Sequence, residues 1–522
     1  MSGLPVVLCV AEKPSLAASI AGFLSEGKHR SRRGGQEVHE FERDFNGARC
    51  HFKVTAVIGH VLSIDFPAKF QSWDLDPAIL FDAPVQKKEA TPKARVVEHL
   101  EREAKGASHL ILWLDCDREG ENICFEVIDA CAPVMRPNRG DTFVHRAKFS
   151  AVSKESIERA MRTLGAPNRD EALAVDARQE LDLKVGVAFT RFQTRFFQGR
   201  YSHLDASVIS YGPCQTPTLN FAVQRHLEIV SHTPEDFWSL HVEVRSASLG
   251  KTLVTRWERE RVFDADVGEM FRSMVAGDQH ALVESVEETE EFKRRPAGLN
   301  TVDLLKAASA GMGMGAHRAM QVAERLYIQG FISYPRTEST AYPPGFDLKG
   351  TLKAQRGHPD WGEWVEELLA GSMTKPRGGK DEGDHPPITP VRSATESALG
   401  GGEAWRLYDF VARHFIASVS PDCVYVSRRA TLVAGGERFR VSGQTVIAPG
   451  WTTVMPHRAV EDNPLGEIER GESLPIATVE LRLQSTAAGT GFRRGTELVG
   501  WPQRRSCSLD RSRLGVPVAY QG

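Results

Sequence analysis

The sequence lacks three features that would assign it to a common class of protein. None of its eight cysteines forms a C-x-x-C pair, so we expect reduced, mostly buried thiols and no zinc ribbon. It has no apolar run of the roughly 18 residues needed to span a membrane. Its N-terminus lacks a basic segment followed by a long apolar stretch, so no secretory signal is expected. These absences predict an intracellular protein without a membrane span.

A surplus of positive charge is also missing. Lys and Arg total 65 against 68 for Asp and Glu, a formal net charge of −3. This balance argues against a protein that coats nucleic acid nonspecifically, but it is compatible with a local basic channel. The length of 522 residues and a hydrophobic content of 41% predict several globular domains.

No convincing ATP-binding loop is present. Residues 22–28 (GFLSEGK) imitate a phosphate loop, but His29 stands where Ser or Thr is needed, and the stretch follows a helical pattern. Residues 311–315 (GMGMG) also follow a predicted helix, whereas a dinucleotide site follows a strand. We assign both stretches to helix ends or turns and expect chemistry that does not consume a nucleotide.

Two segments follow the order strand, charged loop, helix. The apolar run at 6–11 (VVLCVA) precedes a helical pattern that Pro14 opens, where the missing N–H of proline costs nothing. The run at 109–114 (HLILWL) precedes the loop DCDREG and a helical pattern from 121. Two such units predict an α/β layer with a parallel sheet and polar groups at the carboxyl ends of its strands.

The remaining segments alternate between helical and strand-like patterns. Helices are predicted within 153–200, within 299–330 and from 404, and antiparallel strands within 236–285 and 422–455. From about residue 485 the chain is rich in Arg, Ser and Gly and shows neither period, so we predict disorder there.

Four acidic residues form the first candidate site. Asp115, Asp117 and Glu119 alternate in LDCDREGEN, and this spacing predicts side chains on one side of an extended loop. Glu12 ends the other predicted strand. Hard oxygen ligands of this kind suit Mg²⁺, which keeps several waters and meets phosphate oxygens. The alternative is a solvated acidic loop.

The second candidate site is a tyrosine in FISYPRTEST, residues 331–340. A tyrosine hydroxyl has an unperturbed pKa near 10. To attack a phosphodiester, Tyr334 would need a nearby cation or base that favours the phenolate. Arg336 is two residues away and could also hold the phosphate by a charge-assisted hydrogen bond. The alternative is a packed tyrosine beside a proline turn.

Seven stretches resemble, in the same order, motifs of the type IA DNA topoisomerases of the topoisomerase III group. They are VAEKPSLA (10–17), the acidic loop (114–121), ARQELDLKVG (177–186), GPCQTPTL (212–219), LNTVDLL (299–305), ISYPRTEST (332–340) and DHPPITP (384–390). The wording of LWLDCDREGENICFEV and DARQELDL is most similar to the beta branch of that group. Seven motifs in register are a specific signal.

The resemblance implies a multidomain α/β plus α and β protein arranged as a toroid, here with an incomplete C-terminal part. Its segments would be a toprim α/β domain (1–152), a helical domain (153–216), a β arch (217–290), a helical tyrosine domain (291–420), the returning arch (421–484) and a divergent tail (485–522).

Residue roles follow from the same motifs. Tyr334 would be the nucleophile that bonds the 5′ phosphate of the cut strand. Glu12 would lie near the leaving 3′ oxygen as proton donor or metal partner. The remaining implied roles are Mg²⁺ binding by Asp115, Asp117 and Glu119, phosphate stabilisation by Lys13 and Arg336, support by His385, and strand positioning by Arg178, Asp182, Gln215 and Thr216. For His385, the alternative is a loop histidine capping a turn.

The implied function is an isomerase that cuts and reseals one DNA strand, with RNA as a second candidate, and relaxes negative supercoils without ATP. The resemblance further implies a Tudor-domain partner protein and a nuclear location, with the cytoplasm as a second one. No Gly-Ile-Gly-Thr stretch or cysteine-rich module of the group is seen, and we expect the similarity to end near 484, as in a truncated, alternatively spliced or misframed product. The alternatives are therefore an inactive fragment that binds nucleic acid or a partner, and another toprim enzyme, such as a primase or nuclease, with no role for Tyr334.

Overall fold

The structure is a computed structural model that describes residues 4–33, 36–137, 142–201, 204, 206–246, 250–383 and 385–489. The predicted disorder of the tail falls almost entirely outside the described residues. Seven described cysteines are free thiols, and five of them are buried, as the sequence predicts. No helix in the described part of the chain is both long and apolar enough to cross a membrane.

The first region of the chain is an α/β layer. Its elements are β1 (Val6–Ala11), α1 (Pro14–Leu24), β2 (Arg30–Arg32), β3 (Val38–Phe45), β4 (Ala48–Ala56), β5 (Leu62–Asp65), β6 (Gln86–Glu89), α2 (Val96–Ala104), β7 (His109–Trp113), α3 (Arg118–Cys131) and β8 (Val144–Arg146). Six strands form one sheet in the order β2-β3-β4-β1-β7-β8. Strand β1 is parallel to both β4 and β7, and β7 is parallel to β8, so the predicted parallel layer is confirmed.

The central strands of this sheet are apolar because both of their faces are covered. Residues 7–11 of β1 and all of β7 are buried. A strand packed on both faces cannot alternate polar and apolar side chains. Pro14 is at the start of α1, as predicted. The carboxyl ends of β1 and β7 therefore meet at one edge of the sheet.

A helical region follows, with α4 (Lys154–Arg162), α5 (Arg169–Phe197) and α6 (Gln215–Val230). Asn168 caps α5 by accepting hydrogen bonds from the backbone N–H groups of Asp170 and Glu171. Helix α5 is 29 residues long and buries only five of them, and α6 buries none. This region presents much of its apolar surface to solvent.

The next region begins with strands but also contains a helix. Its elements are β9 (Asp236–Ser246), β10 (Lys251–Val254), β11 (Arg256–Trp257), α7 (Ala265–Ala276) and β12 (His280–Lys293). The prediction of strands throughout 236–285 is wrong for α7. Asp264 caps this helix by accepting a hydrogen bond from the Val267 N–H. The helix then packs against β9 and β15 of the sheet described below.

Five helices follow: α8 (Thr301–Met312), α9 (Ala316–Ile328), α10 (Leu348–Lys353), α11 (Gly362–Glu367) and α12 (Gly402–Ser418). The chain then returns through β13 (Cys423–Ala434), β14 (Glu437–Ala448) and β15 (Ser473–Ser485). Strands β9 to β15 form a seven-stranded antiparallel sheet in the order β10-β9-β15-β12-β13-β14-β11. Two distant stretches of chain therefore build one sheet, as expected for an arch with a return segment.

One hydrophobic core joins the parallel sheet to the helices that surround Tyr334. It contains Val7 and Trp113 from the sheet together with Leu326, Tyr334 and Phe415. The seven-stranded sheet has a separate core that includes Trp257 and Phe439. The tyrosine segment is thus fixed against the edge of the parallel sheet.

Candidate active site

Glu12 and Asp115 lie together at the carboxyl edge of the parallel sheet. The register pairs Ala11 of β1 with Trp113 of β7, so the residues that follow these strands become neighbours. The Asp115 N–H donates a hydrogen bond of 3.1 Å to Glu12 Oε2. Lys13 Nζ lies 3.9 Å from Glu12 Oε1 and 3.8 Å from Asp115 Oδ2. One ammonium group therefore faces two carboxylates.

Asp115 is in an unfavourable environment for a negative charge. Its side chain is buried, and this burial, followed by the charge of Glu12, raises the pKa of Asp115 to about 7. Lys13 offsets only part of this effect. A further cation at this position would therefore stabilise the ionised form of the carboxylate pair.

The acidic loop is shorter than predicted. Asp117 caps α3, and its Oδ1 accepts a hydrogen bond of 2.8 Å from the Gly120 N–H. The helix already begins at Arg118, so Glu119 lies in its first turn and not on an extended loop. Gly120 is required here because a Cβ atom would lie 1.9 Å from the carbonyl oxygen of Asp115. The prediction that the three acids share one side of a loop is therefore wrong for Glu119.

Glu119 belongs to a different set of contacts. His60 Nε2 lies 3.1 Å from Glu119, and His60 Nδ1 lies 3.2 Å from Glu126. These two carboxylates raise the pKa of His60 to about 10, so the ring is protonated at neutral pH and donates both hydrogen bonds. Arg178 of α5 donates a further hydrogen bond to Glu119. Glu119 thus ties α3 to His60 and to α5.

Tyr334 is buried beside the acidic pair. The chain turns at Gly330, whose φ is 73°. A Cβ atom at this position would lie only 2.5 Å from the Val152 carbonyl oxygen, so glycine is required. The Tyr334 N–H then donates a hydrogen bond of 2.9 Å to the Ser150 carbonyl. The phenol donates a hydrogen bond of 2.6 Å to Asp117 Oδ2. A backbone turn and two hydrogen bonds therefore fix the hydroxyl at the N-terminus of α3.

Two aromatic rings flank Tyr334. The His385 ring centroid lies 4.3 Å from the tyrosine ring, and the Tyr327 ring packs edge-on at 5.2 Å. The Tyr327 hydroxyl donates a hydrogen bond of 3.1 Å to Asp115 Oδ1. Each of the two neighbouring aspartates thus accepts a hydrogen bond from a different tyrosine.

Burial raises the pKa of Tyr334 far above its ordinary value, and the negative charges of Asp115 and Asp117 raise it further. The phenol is therefore protonated in this state and acts as a donor. Attack on a phosphodiester requires that the proton leave or that a cation offset the surrounding negative charge. Asp117 is the acceptor already in place for that proton.

Arg336 is paired with Glu324 in this state and lies near enough to Asp117 for that carboxylate to help raise its pKa. Its guanidinium donates a hydrogen bond of 3.0 Å to Glu324, and about half of the side chain is exposed. His385 contacts the tyrosine ring directly.

The four residues predicted to position the strand fall into two places. Arg178 and Asp182 lie one turn apart on α5, and Arg178 Nε is 3.9 Å from Asp182 Oδ2. Gln215 and Thr216 begin α6, where Thr216 Oγ1 accepts a hydrogen bond of 3.3 Å from the Gly212 N–H. The first pair is connected to the acidic site through Glu119, whereas the second contacts its own preceding turn.

A buried arginine holds the acidic loop in place, and the sequence analysis missed it. Arg146 is fully buried and pairs with Glu121 at 2.9 Å. Its remaining N–H groups donate to the carbonyl oxygens of Leu114 and Asp115 at 2.7 and 2.8 Å. His60 and Tyr327 were missed as well. A single Arg, His or Tyr in an unremarkable stretch carries no signal until its partners are known.

The described residues contain no group of three or more His, Cys, Asp or Glu side chains arranged to hold a metal ion. The donor set nevertheless fits a hard cation. Glu12 and Asp115 are adjacent carboxylates, and Asp115 is destabilised as an anion. Mg²⁺ commonly takes only one or two protein carboxylates and keeps waters. Asp117 borders this pair, whereas Glu119 is held by His60 and Arg178.

Comparison with family models gives two matches. Residues 7–151 match the Toprim domain, and residues 166–497 match the family described as DNA topoisomerase. The second match continues to residue 497, so the prediction that similarity ends near 484 is wrong.

Curated relatives match almost the whole chain. It is 52% identical over 513 residues to DNA topoisomerase 3-beta of Arabidopsis thaliana, covering 98% of this chain and 59% of that protein. It is 49% identical over 522 residues to DNA topoisomerase 3-beta-1 of Homo sapiens, covering 99% and 60%. The chain thus spans about three fifths of the length of these relatives.

Among solved structures, full-length topoisomerase I from Thermotoga maritima superposes with a TM-score of 0.69 at 22% identity. The match covers 92% of this chain and 73% of that one. At this identity the likeness concerns the fold, which is a mixed α/β multidomain arrangement.

Proposed function

The chain belongs to the type IA DNA topoisomerase family, and from that premise we propose that Tyr334 cuts and reseals one nucleic-acid strand. The observation that carries the proposal is the hydrogen bond of 2.6 Å from the Tyr334 hydroxyl to Asp117, next to Glu12, Lys13 and Asp115. A nucleophile, a proton acceptor, a cation and a carboxylate pair meet there at one edge of a rigid sheet.

The proposed step is a transesterification. The Tyr334 oxygen bonds to phosphorus while the bond between phosphorus and the 3′ oxygen breaks. The phenol proton passes to Asp117, and one proton reaches the leaving 3′ oxygen by way of Glu12, so the proton that the tyrosine loses is balanced by the one that the 3′ hydroxyl gains. The number of phosphodiester bonds is unchanged, so no ATP is consumed, and the reverse step reseals the strand.

Positive groups offset the charge that builds up on the phosphate. Lys13 is already within 4 Å of both carboxylates, and Arg336 would move from Glu324 to the phosphate. Such preorganised cations are among the largest contributions to catalysis of this kind. His385 would hold the tyrosine ring and support the phosphate network.

Toprim domains bind divalent metal ions. We infer that Glu12, Asp115 and Asp117 would hold Mg²⁺ here, which would supply further positive charge for the phosphate oxygens. Removing the ion with a chelator should abolish cleavage and leave strand binding largely intact, because binding uses other groups.

Single-stranded DNA is the proposed substrate, with negatively supercoiled DNA as the natural form and RNA as a second candidate. Arg178, Asp182, Gln215 and Thr216 would position the strand as it approaches Tyr334. Passage of a second strand through the break would then relax supercoils. A nuclear location and a Tudor-domain partner stay proposals that rest on the family resemblance.

The test is capture of the covalent intermediate. The purified chain is incubated with an oligonucleotide labelled at its 3′ end and Mg²⁺, and then quenched with denaturant. We expect label on the protein for the native chain and none for Tyr334→Phe. Tyr327→Phe is a matched control because it also removes a buried hydroxyl bonded to an aspartate, and it should keep the adduct.

Three results would overturn the proposal. No adduct in the native chain would favour an inactive fragment that only binds the strand. Cleavage that persists in Tyr334→Phe would point to a toprim nuclease. An adduct that retains only a 5′ label would show that the tyrosine bonds the opposite side of the break.

A further inference from the structure

A cavity of about 400 Å³ opens beside the catalytic tyrosine. Asp117 and His385, which both contact Tyr334, form part of its wall. The cavity lies between the N-terminus of α3, the segment after β8 and helix α4. Its volume falls within the roughly 300–1,000 Å³ that small-ligand sites occupy.

Three cationic side chains line this cavity: Arg118, Lys148 and Arg159. They come from three separate elements and are all exposed. Within the described ranges, none of the three takes part in an ion pair. Four acids also line the wall. Glu121 pairs with Arg146 and Glu382 pairs with Lys380, whereas Asp117 and Glu171 only accept hydrogen bonds and offset part of the positive charge.

Several other arginines of the protein are already neutralised. Arg178, Arg256, Arg272, Arg336 and Arg438 all pair with a neighbouring carboxylate. Three like charges around one concave surface repel one another, and an anion placed among them removes that cost. The hydroxyls of Ser156 and Thr163 in the same wall add neutral donors.

We propose that this cavity binds the sugar-phosphate backbone on the 3′ side of the cut, with Lys148 and Arg159 contacting its first phosphates. The inference rests on the proposed strand cleavage and extends it by a second half of the substrate path. The ligand class is a phosphodiester chain one or two nucleotides long, joined to the phosphate that Tyr334 attacks.

The direction of the strand follows from what each half needs after cleavage. The 3′ side is held covalently by Tyr334, so a small site next to the tyrosine suffices for it. The other half ends in a free 3′ hydroxyl and must be held by noncovalent contacts alone. The longer surface of α5 and α6, reached through Arg178, suits that half.

The test compares substrates that differ only downstream of the cut. One oligonucleotide carries a single nucleotide beyond the mapped cleavage site, and the other carries about eight, within the reach of typical single-strand sites. Binding is measured by fluorescence anisotropy with Tyr334→Phe as background, so that cleavage does not interfere. Lys148→Ala and Arg159→Ala are added together to this background.

We expect the double substitution to weaken binding of the long substrate about tenfold and to leave the short one within about twofold. For the long substrate, the slope of log affinity against log salt should fall in magnitude by about 1.4, which corresponds to two phosphate contacts. Arg162→Ala is the matched control, because Arg162 lies on the same helix but not in the cavity wall. Arg162→Ala should change neither the affinity for the long substrate nor the slope against salt.

An equal loss of affinity for both substrates would contradict the proposal, and so would an unchanged affinity for both. AMP is tested as a competitor. If AMP binding depends on Lys148 and Arg159 while the length of the downstream strand does not change the affinity, the cavity binds free nucleotides and the proposal fails. These arms measure binding without the tyrosine once the cleavage site has been mapped with the native chain, so their failure would leave the proposed strand cleavage standing. Absence of the covalent adduct in the native chain would instead count against the proposed function.

Discussion

Helices α12 and α6 have similar lengths and opposite environments. Eleven of the 17 residues of α12 are buried, whereas none of the 16 residues of α6 is. Yet α6 carries Leu219, Leu227 and Val230, which are 63%, 57% and 67% exposed. Both sequences contain apolar residues at helical spacing. Burial therefore depends on the partner surface, which a single helix sequence does not contain.

The contrast extends to the two regions in which these helices lie. The centre between the parallel sheet and the tyrosine segment buries charges, including Asp115 and the Arg146–Glu121 pair. The α5–α6 region buries one charged side chain, Arg191, and leaves much of its apolar surface exposed. Chemistry requires fixed groups of low solvent access, and contact with a long flexible strand requires accessible ones. Substitutions should therefore be costly in the first region and mild in the second.

The largest difference should come from comparing a buried with an exposed ion pair. Glu121→Ala leaves Arg146 charged and fully buried, which should lower the free energy of unfolding by about 3–5 kcal/mol. Glu260→Ala breaks an exposed pair with Arg256 and should cost less than about 1 kcal/mol. Urea unfolding followed by circular dichroism measures both. Similar losses for the two variants would refute the contrast.

A second comparison uses leucines on the two helices. Leu407 of α12 is fully buried, so Leu407→Ala should cost about 2–5 kcal/mol through lost burial and the cavity left behind. Leu227 of α6 is more than half exposed, and Leu227→Ala should change stability by less than about 0.5 kcal/mol. Thermal unfolding of the two variants provides the measurement. A large loss for Leu227→Ala would mean that another part of the protein covers α6 in solution.

The sequence was informative where one local signal suffices. The apolar run before Glu12 and the proline at position 14 predicted β1 and α1 with correct bounds. The resemblance of the segment around Tyr334 to its family motif predicted a tyrosine near the acidic residues, and the structure brings it to Asp117. Both features depend on residues that are close in the chain or belong to one motif.

The sequence was less informative about where helices begin and about contacts between residues that are distant in the chain. Asp117 and Asp264 are N-caps, a recognised signal, but the alternating acids and the neighbouring strand patterns masked them. Nothing in the sequence near Arg146 indicated that it would hold the carbonyl groups of β7's carboxyl end. Such a role is defined only once two distant segments are packed together.

A third test uses pH and a buried histidine of α12. Burial lowers the pKa of His414 to about 4, and its Nε2–H donates a hydrogen bond of 2.9 Å to the Ala297 carbonyl. The unfolded chain takes up a proton below about pH 6.5 and the folded one does not, so stability is complete above that pH and falls down to about pH 4. The loss should reach at most roughly 3 kcal/mol.

His414→Gln can keep the hydrogen bond to Ala297 but cannot titrate. The difference in unfolding free energy between native protein and variant should therefore change between pH 6.5 and 4, with the native protein losing more. Other titrating groups cancel in this difference. A difference that is flat over this range would show that His414 is accessible to protons in the folded state.

The smallest expected effect separates the acidic residues that the sequence grouped together. Glu119 bonds His60 and Arg178, whereas Asp115 adjoins Glu12. Glu119→Gln should thus shift the Mg²⁺ concentration for half-maximal adduct formation by less than about twofold, and its partly exposed ion pair with Arg178 limits the stability loss to about 1 kcal/mol. Asp115→Asn, which removes a charge from the carboxylate pair itself, should raise that concentration at least about tenfold. If Glu119→Gln raised it as much as Asp115→Asn, Glu119 would have to leave His60 to bind the ion, and the division between the catalytic centre and its link to α5 would not hold in the metal-bound state.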